Sequence, residues 1–437
     1  MPEAKINPPE WLVINILKLE RRENDHMLRN KGALFGQRYR IIISTDIGGS
    51  DPDDFQSLVH YLLYSDLFDT EGILSSAWGD GTVEDILKVI DIYEKDYPKL
   101  FRYHNNYPTP SYLRSITKQG ERKIAPYKGY RKATEGSNHI IQCAKKKDSR
   151  PLYILCWGLL EDVAQALHDA PEIKSKIRVY FIGGPNKKWG LNAYQYILKE
   201  HPDIWIIENN STYRGWFNGG KTEKDLSNQT FVSEHIKHHG ALGDFFASQL
   251  GGVIKMGDTP SVAWLLNGNP EEPQKDSWGG RFVQVYHRPT QTFTRNTTLQ
   301  DTVERFEVME LIFSGPILEP NQIDDHVYFY LVIDQQKFEG FYIGEGKYGV
   351  RFMPKSIGAW QYRLESSLEE LNDQQGQFVS VEEKDQTRFQ TQQHLTNWWS
   401  DDLDPDVAEK EYKGAKTINQ YRENYLKDFA RRLDRLL

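Results

Sequence analysis

Short apolar runs that end in turn residues constrain this chain more than anything else in it. Ile41-Ile42-Ile43, Ile73-Leu74, Leu152-Tyr153-Ile154-Leu155-Cys156 and Val179-Tyr180-Phe181-Ile182 are each followed by a turn and then by a helical stretch. A run that is apolar on both faces is a strand buried on both sides. Such strands alternating with helices build a mainly parallel sheet with helices on both faces. The expected fold class is therefore α/β, and in such sheets ligands bind beyond the carboxyl ends of the strands.

The chemistry-bearing residues stand at one of those ends. Arg40 to Thr45 reads as a strand, and Asp46, Asp51, Asp53 and Asp54 follow around Gly48-Gly49, ahead of the helical pattern Phe55, Leu58, Val59, Leu62 and Leu63. One or two acids in the first turn of a helix are ordinary caps. Four acids within nine residues repel one another unless a positive group sits among them. A hard divalent cation with oxygen ligands meets that need, and Ca2+ is the economical choice.

A calcium shell takes about six to eight oxygens, so a distant contributor is expected. Lys255-Met256-Gly257-Asp258-Thr259-Pro260-Ser261 precedes the apolar Val262-Ala263-Trp264-Leu265-Leu266. Asp258 can be that contributor or simply the N-cap of a buried helix. Carbonyls near Leu160 and Glu161 could fill further positions, and Asp80, Asn186 and Asn192 follow other strands on the same rim. Glu161 and Glu208 are candidate general acids. Acids and amides around a cation suit a ligand with many hydroxyl groups. A water aimed there by a carboxylate attacks a glycosidic carbon, whose positive transition state the surrounding acids favour.

Beyond Asp301 the texture changes. Glu307–Phe313, Val327–Val332, Tyr348–Phe352, Trp360–Arg363 and Phe378–Val381 alternate, with turns at Gly315-Pro316 and Gly344-Glu345-Gly346 between them. They predict an inserted small antiparallel β-sandwich. The domains expected are a leader over 1–37, an α/β body over 38–300 and 385–437, and the insert over 301–384. Helical texture is expected from Thr387 to Leu437, with Asp401-Asp402 in a solvated turn. Trp360 and Tyr362 read as core rather than as sugar contacts. His235, His238 and His239 read as a helix end rather than a metal site.

The 437 residues leave room for two domains, and the net charge of −8 argues against nucleic acid or a membrane surface as partner. Two cysteines, Cys143 and Cys156, predict free thiols. No signal peptide or ~20-residue apolar span is visible, so a cytoplasmic protein is expected. Self-association into a homo-oligomer stays open.

The stretch Thr45-Asp46…Asp53-Asp54 resembles the N-terminal signature of the nucleoside hydrolases. The similarity is closer to the nucleoside-hydrolase-like proteins described as cellulose-binding. Tyr61-Leu62-Leu63-Tyr64-Ser65, His239-Gly240-Ala241-Leu242-Gly243, Gly257-Asp258-Thr259-Pro260-Ser261, Ser277-Trp278-Gly279-Gly280-Arg281 and Asp428 to Leu433 echo that group. The insert is similar to the β-sandwich that accompanies bacterial glycoside hydrolases. The resemblance implies Asp46 as calcium ligand and general base, and Asp54 as second ligand. It implies Asp53 and Asp258 on sugar hydroxyls, with Asp258 also a ligand. A carbonyl near Glu161 would complete the shell, and Asp80 and Asn192 would stand near the family's sugar-binding amides. Three departures turn the expectation away from nucleosides, and the insert's association turns it toward plant or microbial glycans. The acid loop is widened by Gly48 to Pro52, Gly257 replaces a histidine that helps the base leave, and Gly190 stands where a glutamate two before Asn192 is expected. The leading expectation is a calcium-dependent glycoside hydrolase. A non-catalytic carbohydrate-binding protein comes second, and a nucleoside N-ribohydrolase third.

Overall fold

The computed structural model describes residues 38–76, 79–319, 325–384 and 394–437. The leader expected over 1–37 lies outside them. Two eight-stranded sheets organise the rest. Along the first, the order is β3 (Thr117–Gln119), β2 (Phe68–Ser75), β1 (Tyr39–Thr45), β4 (Leu152–Cys156), β5 (Ile177–Ile182), β6 (Ile206–Asn209), β16 (Trp398–Asp401) and β7 (Phe282–Val285). Every pair is parallel except β16 with β7. The chain moves outward from β1 to β3 on one side and from β4 to β6 on the other. The order therefore reverses between β1 and β4, which opens a crevice at their carboxyl ends.

Alternation along β1 divides the core. Ile41 and Ile43 face one apolar cluster with Tyr153 and Leu155, while Ile42 faces another with Leu74, Ile154 and Cys156. Helix α1 (Asp53–Tyr64) is buried along its whole length, which fits a helix between sheet and outer helices. Helices α2 (Val83–Tyr103), α3 (Glu161–Asp169), α4 (Pro185–Trp189), α5 (Thr259–Leu266) and α6 (Arg422–Leu433) are the others that matter below. The C-terminal α6 packs Phe429 and Leu433 into the α1 side of the core, and Tyr64 donates to Asp428 at 2.7 Å. Both cysteines are free and buried. Among the described residues no helix is long and apolar enough to cross a membrane.

The second sheet runs β8 (Thr290–Phe293), β10 (Val308–Ser314), β13 (Lys347–Phe352), β12 (Gln336–Gly344), β11 (Val327–Ile333), β14 (Gly358–Ser366), β15 (Gln375–Val381) and β9 (Thr302–Glu304). It folds over on itself. Phe313 of β10 meets Phe329 of β11 at 5.8 Å, and Phe352 of β13 meets Phe378 of β15 at 6.1 Å, although neither pair of strands is adjacent. The enclosed core is its own. Tyr362 is buried in it with its hydroxyl near Thr297, and half-buried Trp360 lies parallel to Phe378.

Two boundaries differ from those expected. The second sheet already includes β8, ahead of residue 301. Thr290-Gln291-Thr292-Phe293 has a single apolar residue, so no alternation announced it. The tail is not wholly helical either. Trp398 to Asp401 forms β16 inside the first sheet, held by β6 and β7 on its two sides. Asp401 is consequently not in a solvated turn. It is buried and accepts backbone N–H groups of Asn210, Ser211 and Thr212 at 2.9, 3.2 and 2.8 Å.

Candidate active site

The acids gather at the crevice between β1 and β4. After Thr45 the chain turns sharply, with Gly49 N–H on the Asp46 carbonyl at 2.9 Å. Gly48 has φ +84°, and a Cβ there would lie 2.3 Å from an Asp85 carboxylate oxygen of α2. Glycine is thus required on both counts. Across the crevice, a Cβ on Gly158 after β4 would come within 2.8 Å of the Asp46 Cβ. The missing side chain lets the two strand ends close around Asp46.

Asp53 and Asp54 open α1. Asp54 accepts a hydrogen bond from the Thr45 hydroxyl, which ties the helix to the strand end. Asp53 accepts the Gly257 N–H at 3.0 Å, and a Cβ on Gly257 would sit 2.4 Å from that same carboxylate oxygen. The histidine that the resemblance would place here has no room while Asp53 holds this bond.

Asp258 stands at the N-cap position of α5, yet its side chain caps nothing. It is buried, and its Oδ2 has no hydrogen-bond partner. The carboxylate has turned inward instead, so that oxygens of Asp53, Asp54 and Asp258 lie within 4.8 Å of one another. Asp46 lies close enough to Asp54 for each carboxyl to act on the other's ionisation. Burial, then the charge of Asp53, pushes the Asp46 pKa up to about 7. Burial also raises Asp53, Asp54 and Asp258, followed by the charge of Asp54 on Asp53 and Asp258 and of Asp46 on Asp54. Among the described residues, the cation paired with these acids is Lys255, bound to Asp51 and lying 3.8 Å from Asp53. One ammonium does not balance five carboxylates. A buried, oxygen-only donor set with an orphaned carboxylate oxygen fits a hard divalent cation.

A cleft of about 180 Å³ opens over these acids, lined also by Trp157, Asn186, Trp189, Tyr213, Arg214 and Phe217. Asn186 is fixed by donating to the carbonyls of Trp157 at 2.6 Å and Ile182 at 3.0 Å. The aromatic wall went unread in the sequence. Trp157 and Trp189 do follow strand ends, and that position is the signal that could have found them.

Several expected members are elsewhere. Asp80 is exposed in a turn outside the cleft lining, because Gly79 and Gly81 pack their backbone on the acid loop and leave its side chain to solvent. Asn192 is buried in a structural role, donating to the Ala125 carbonyl at 2.8 Å and accepting from Arg351 at 2.9 Å. Glu161 begins α3 and does not join the cluster. Its Oε1 accepts the Ala125 N–H at 3.4 Å, its Oε2 is unpartnered, and burial pushes its pKa up to about 8. Glu208 is no general acid, being fully buried with Lys187 at 2.8 Å and Arg288 at 3.0 Å. Burial would raise its pKa, but the charges of Arg288 and Lys187 outweigh that and hold it at about 2. His235 pairs with Asp225 at 3.0 Å, and His238 and His239 lead into the helix Gly240–Ser248.

Residues 40–282 match the family described as cellulose-binding Sde182, nucleoside hydrolase-like domain. The chain belongs to that family. Residues 302–367, within the second sheet, match a domain of unknown function, DUF5060. No curated protein matches the chain. Among solved structures, a nucleoside hydrolase-related hypothetical protein from Saccharophagus degradans, associated with carbohydrate metabolism, is 20% identical with a TM-score of 0.47. It covers 79% of this chain and 100% of its own. A putative glycoside hydrolase from Bacteroides vulgatus is 34% identical over 20% of this chain and 17% of its own, with a TM-score of 0.17. The inosine-uridine preferring nucleoside hydrolase from Bacillus anthracis is 16% identical, covering 52% of this chain and 82% of its own, with a TM-score of 0.36. The family description itself makes residues 40–282 of this Sde182 family member a nucleoside hydrolase-like domain, and the second sheet stands beside it as a β-domain.

Proposed function

We propose that this family member is a calcium-dependent glycoside hydrolase acting on glycan-derived substrates. The observation that carries the reading is the buried carboxylate cluster whose charge Lys255 offsets only in part. Binding a neutral sugar does not call for such a cluster, whereas hydrolysis uses one. Calcium held by Asp46, Asp53, Asp54 and Asp258 would neutralise the acids and orient the attacking water. Asp46, at the rigid end of β1, takes one proton of the water as its oxygen bonds to the anomeric carbon; the glycosidic C–O bond breaks, and the departing oxygen takes its proton from solvent water. Asp54 is held at the strand end by the Thr45 hydroxyl, ready to serve as a second ligand. Asp53 and Asp258 accept hydrogen bonds from sugar hydroxyls, and the acids together favour positive charge at the anomeric carbon.

A non-catalytic carbohydrate-binding role is the second reading, favoured by the family's description and by Gly257, which leaves no leaving-group acid beside Asp258. The two separate on a panel of aryl furanosides, aryl pyranosides, nucleosides and plant oligosaccharides, each tested with calcium and with chelator. Cleavage that stops on chelation and returns with calcium is the expected result. Binding without cleavage across the whole panel transfers the protein to the second reading.

A further inference from the structure

The wall of the cleft is not acidic throughout. Arg214 lines it beside Tyr213 and Phe217, on the turn Thr212–Trp216 that follows β6. The buried Tyr213 hydroxyl is within reach of both kinds of charge, Arg214 on one hand and Asp53 and Asp258 on the other. The half-buried guanidinium is held by rings rather than by an acid. It sits 5.3 Å from the ring of Tyr213 and 4.9 Å from that of Tyr412. Among the described residues it forms no ion pair, and the cation spent on the acid cluster is Lys255. The exposed Glu411 is within reach of the Arg214 charge without pairing with it.

Two lysines continue this positive region. Lys355, half-buried just beyond β13 of the second sheet, has its pKa lowered by burial and then by the charge of Arg214. Lys188 of α4 is 5% exposed and hydrogen-bonds to Gln336. Burial, then the charge of Lys355, lowers it to about 8. Among the described residues neither lysine pairs with a carboxylate. Three cations from the turn after β6, from α4 and from the second sheet thus repel one another in a partly buried place. Such an arrangement costs stability unless an anion joins it. Arg214 is the member that reaches the cleft wall. Its planar fork matches the two oxygens of a carboxylate.

We propose that Arg214, with Lys355 behind it, binds the carboxylate of an acidic sugar, so that the cleft takes glycans containing uronic acids. The acids after β1 hold hydroxyl groups of one unit, and Arg214 holds the charged group of that unit or its neighbour. Through Lys355 the inserted domain takes part in the choice. The idea rests on the carbohydrate reading of the site, and not on catalysis. Its test is calorimetric titration of the full chain, with calcium, against sugars paired to differ in charge. The pairs are xylotriose with and without a glucuronic acid branch, digalacturonate and its methyl ester, and glucose 6-phosphate and glucose.

The wild type should prefer the uronate of each pair by about tenfold, and the preference should shrink as salt rises. Arg214→Gln should abolish it, while the neutral sugars lose less than about twofold. Arg214→Lys should keep part of it, having the charge without the fork. Lys355→Gln should show a smaller loss of the same kind. A calcium-dependent rise in melting temperature retained in each variant would show the acid site still formed. If Arg214→Gln does not fold, the partial losses in Arg214→Lys and Lys355→Gln decide. A preference for uronates absent from the wild type, or undiminished in the variants, overturns the carboxylate site alone. So does a phosphate preference larger than the uronate one. A wild type that binds no sugar of any pair overturns the carbohydrate reading, and the acidic subsite with it.

Discussion

Two groups of buried acids stand at the same rim of the first sheet, and the protein treats them oppositely. Glu208, on β6, is surrounded by Lys187, Arg288, Asn210, Tyr194 and Trp398, every one of them donating to it. The cluster after β1 has one lysine at its edge and an unpartnered oxygen on Asp258. A buried charge with full compensation serves the fold, and removing it leaves its partners stranded. A buried charge without compensation costs stability by itself and is kept for what it binds.

The largest expected effect tests the catalytic side of this contrast. Asp46→Asn keeps shape and one oxygen but cannot accept the proton. Turnover should fall roughly 10²- to 10⁴-fold while sugar affinity persists, at calcium high enough to saturate the weakened site. An equally fast variant with calcium bound removes Asp46 as the base.

Glu208→Gln should break the compensated group. Lys187 and Arg288 would keep buried positive charge, at a cost of about 3–5 kcal/mol read by chemical denaturation. Acid should act through the same residue. The folded pKa, about 2, lies below the ordinary 4.5, so this contribution is complete above pH 4.5 and is lost as pH falls toward 2. That loss amounts to roughly 3 kcal/mol in the wild type, and its slope should be missing in the Gln variant.

Calcium should stabilise the wild type and Glu208→Gln alike, by about 2.7 kcal/mol at a hundredfold excess over Kd. An unchanged melting curve, in protein shown to bind the ion, would end the distinction between the two groups. The smallest effect has the opposite sign. In chelator, Asp258→Asn removes one of the repelling charges and should raise stability by roughly 1–2 kcal/mol, while the calcium response weakens. Loss of stability in chelator would mean that Asp258 is structural, as Glu208 is.

Periodicity revealed most of the first sheet because its strands are continuous apolar runs, and Ile41, Ile42 and Ile43 serve both faces of the core. It failed at β3, β7, β8 and β16, which are short strands whose neighbours along the sheet, not their own composition, make them strands. The site divides in the same way. Asp46, Asp53 and Asp54 were legible because they cluster in sequence beside a strand end. Asp80 and Asn192 were misplaced because position after a strand does not tell where a side chain points.

What the sequence determined by itself was the class of fold, the strand after which chemistry begins, and a concentration of negative charge that asks for a cation. These are local properties, carried by hydrophobic period, glycine at tight turns and the mutual repulsion of near neighbours. Only the tertiary structure decided that Asp258 turns away from its helix to join Asp53 and Asp54. It also decided that Glu208 is neutralised by residues from distant strands, and that an inserted sheet reaches the cleft through Trp189. Each depends on groups far apart along the chain, and the balance of burial and charge at such a point exists only once the chain has closed around it.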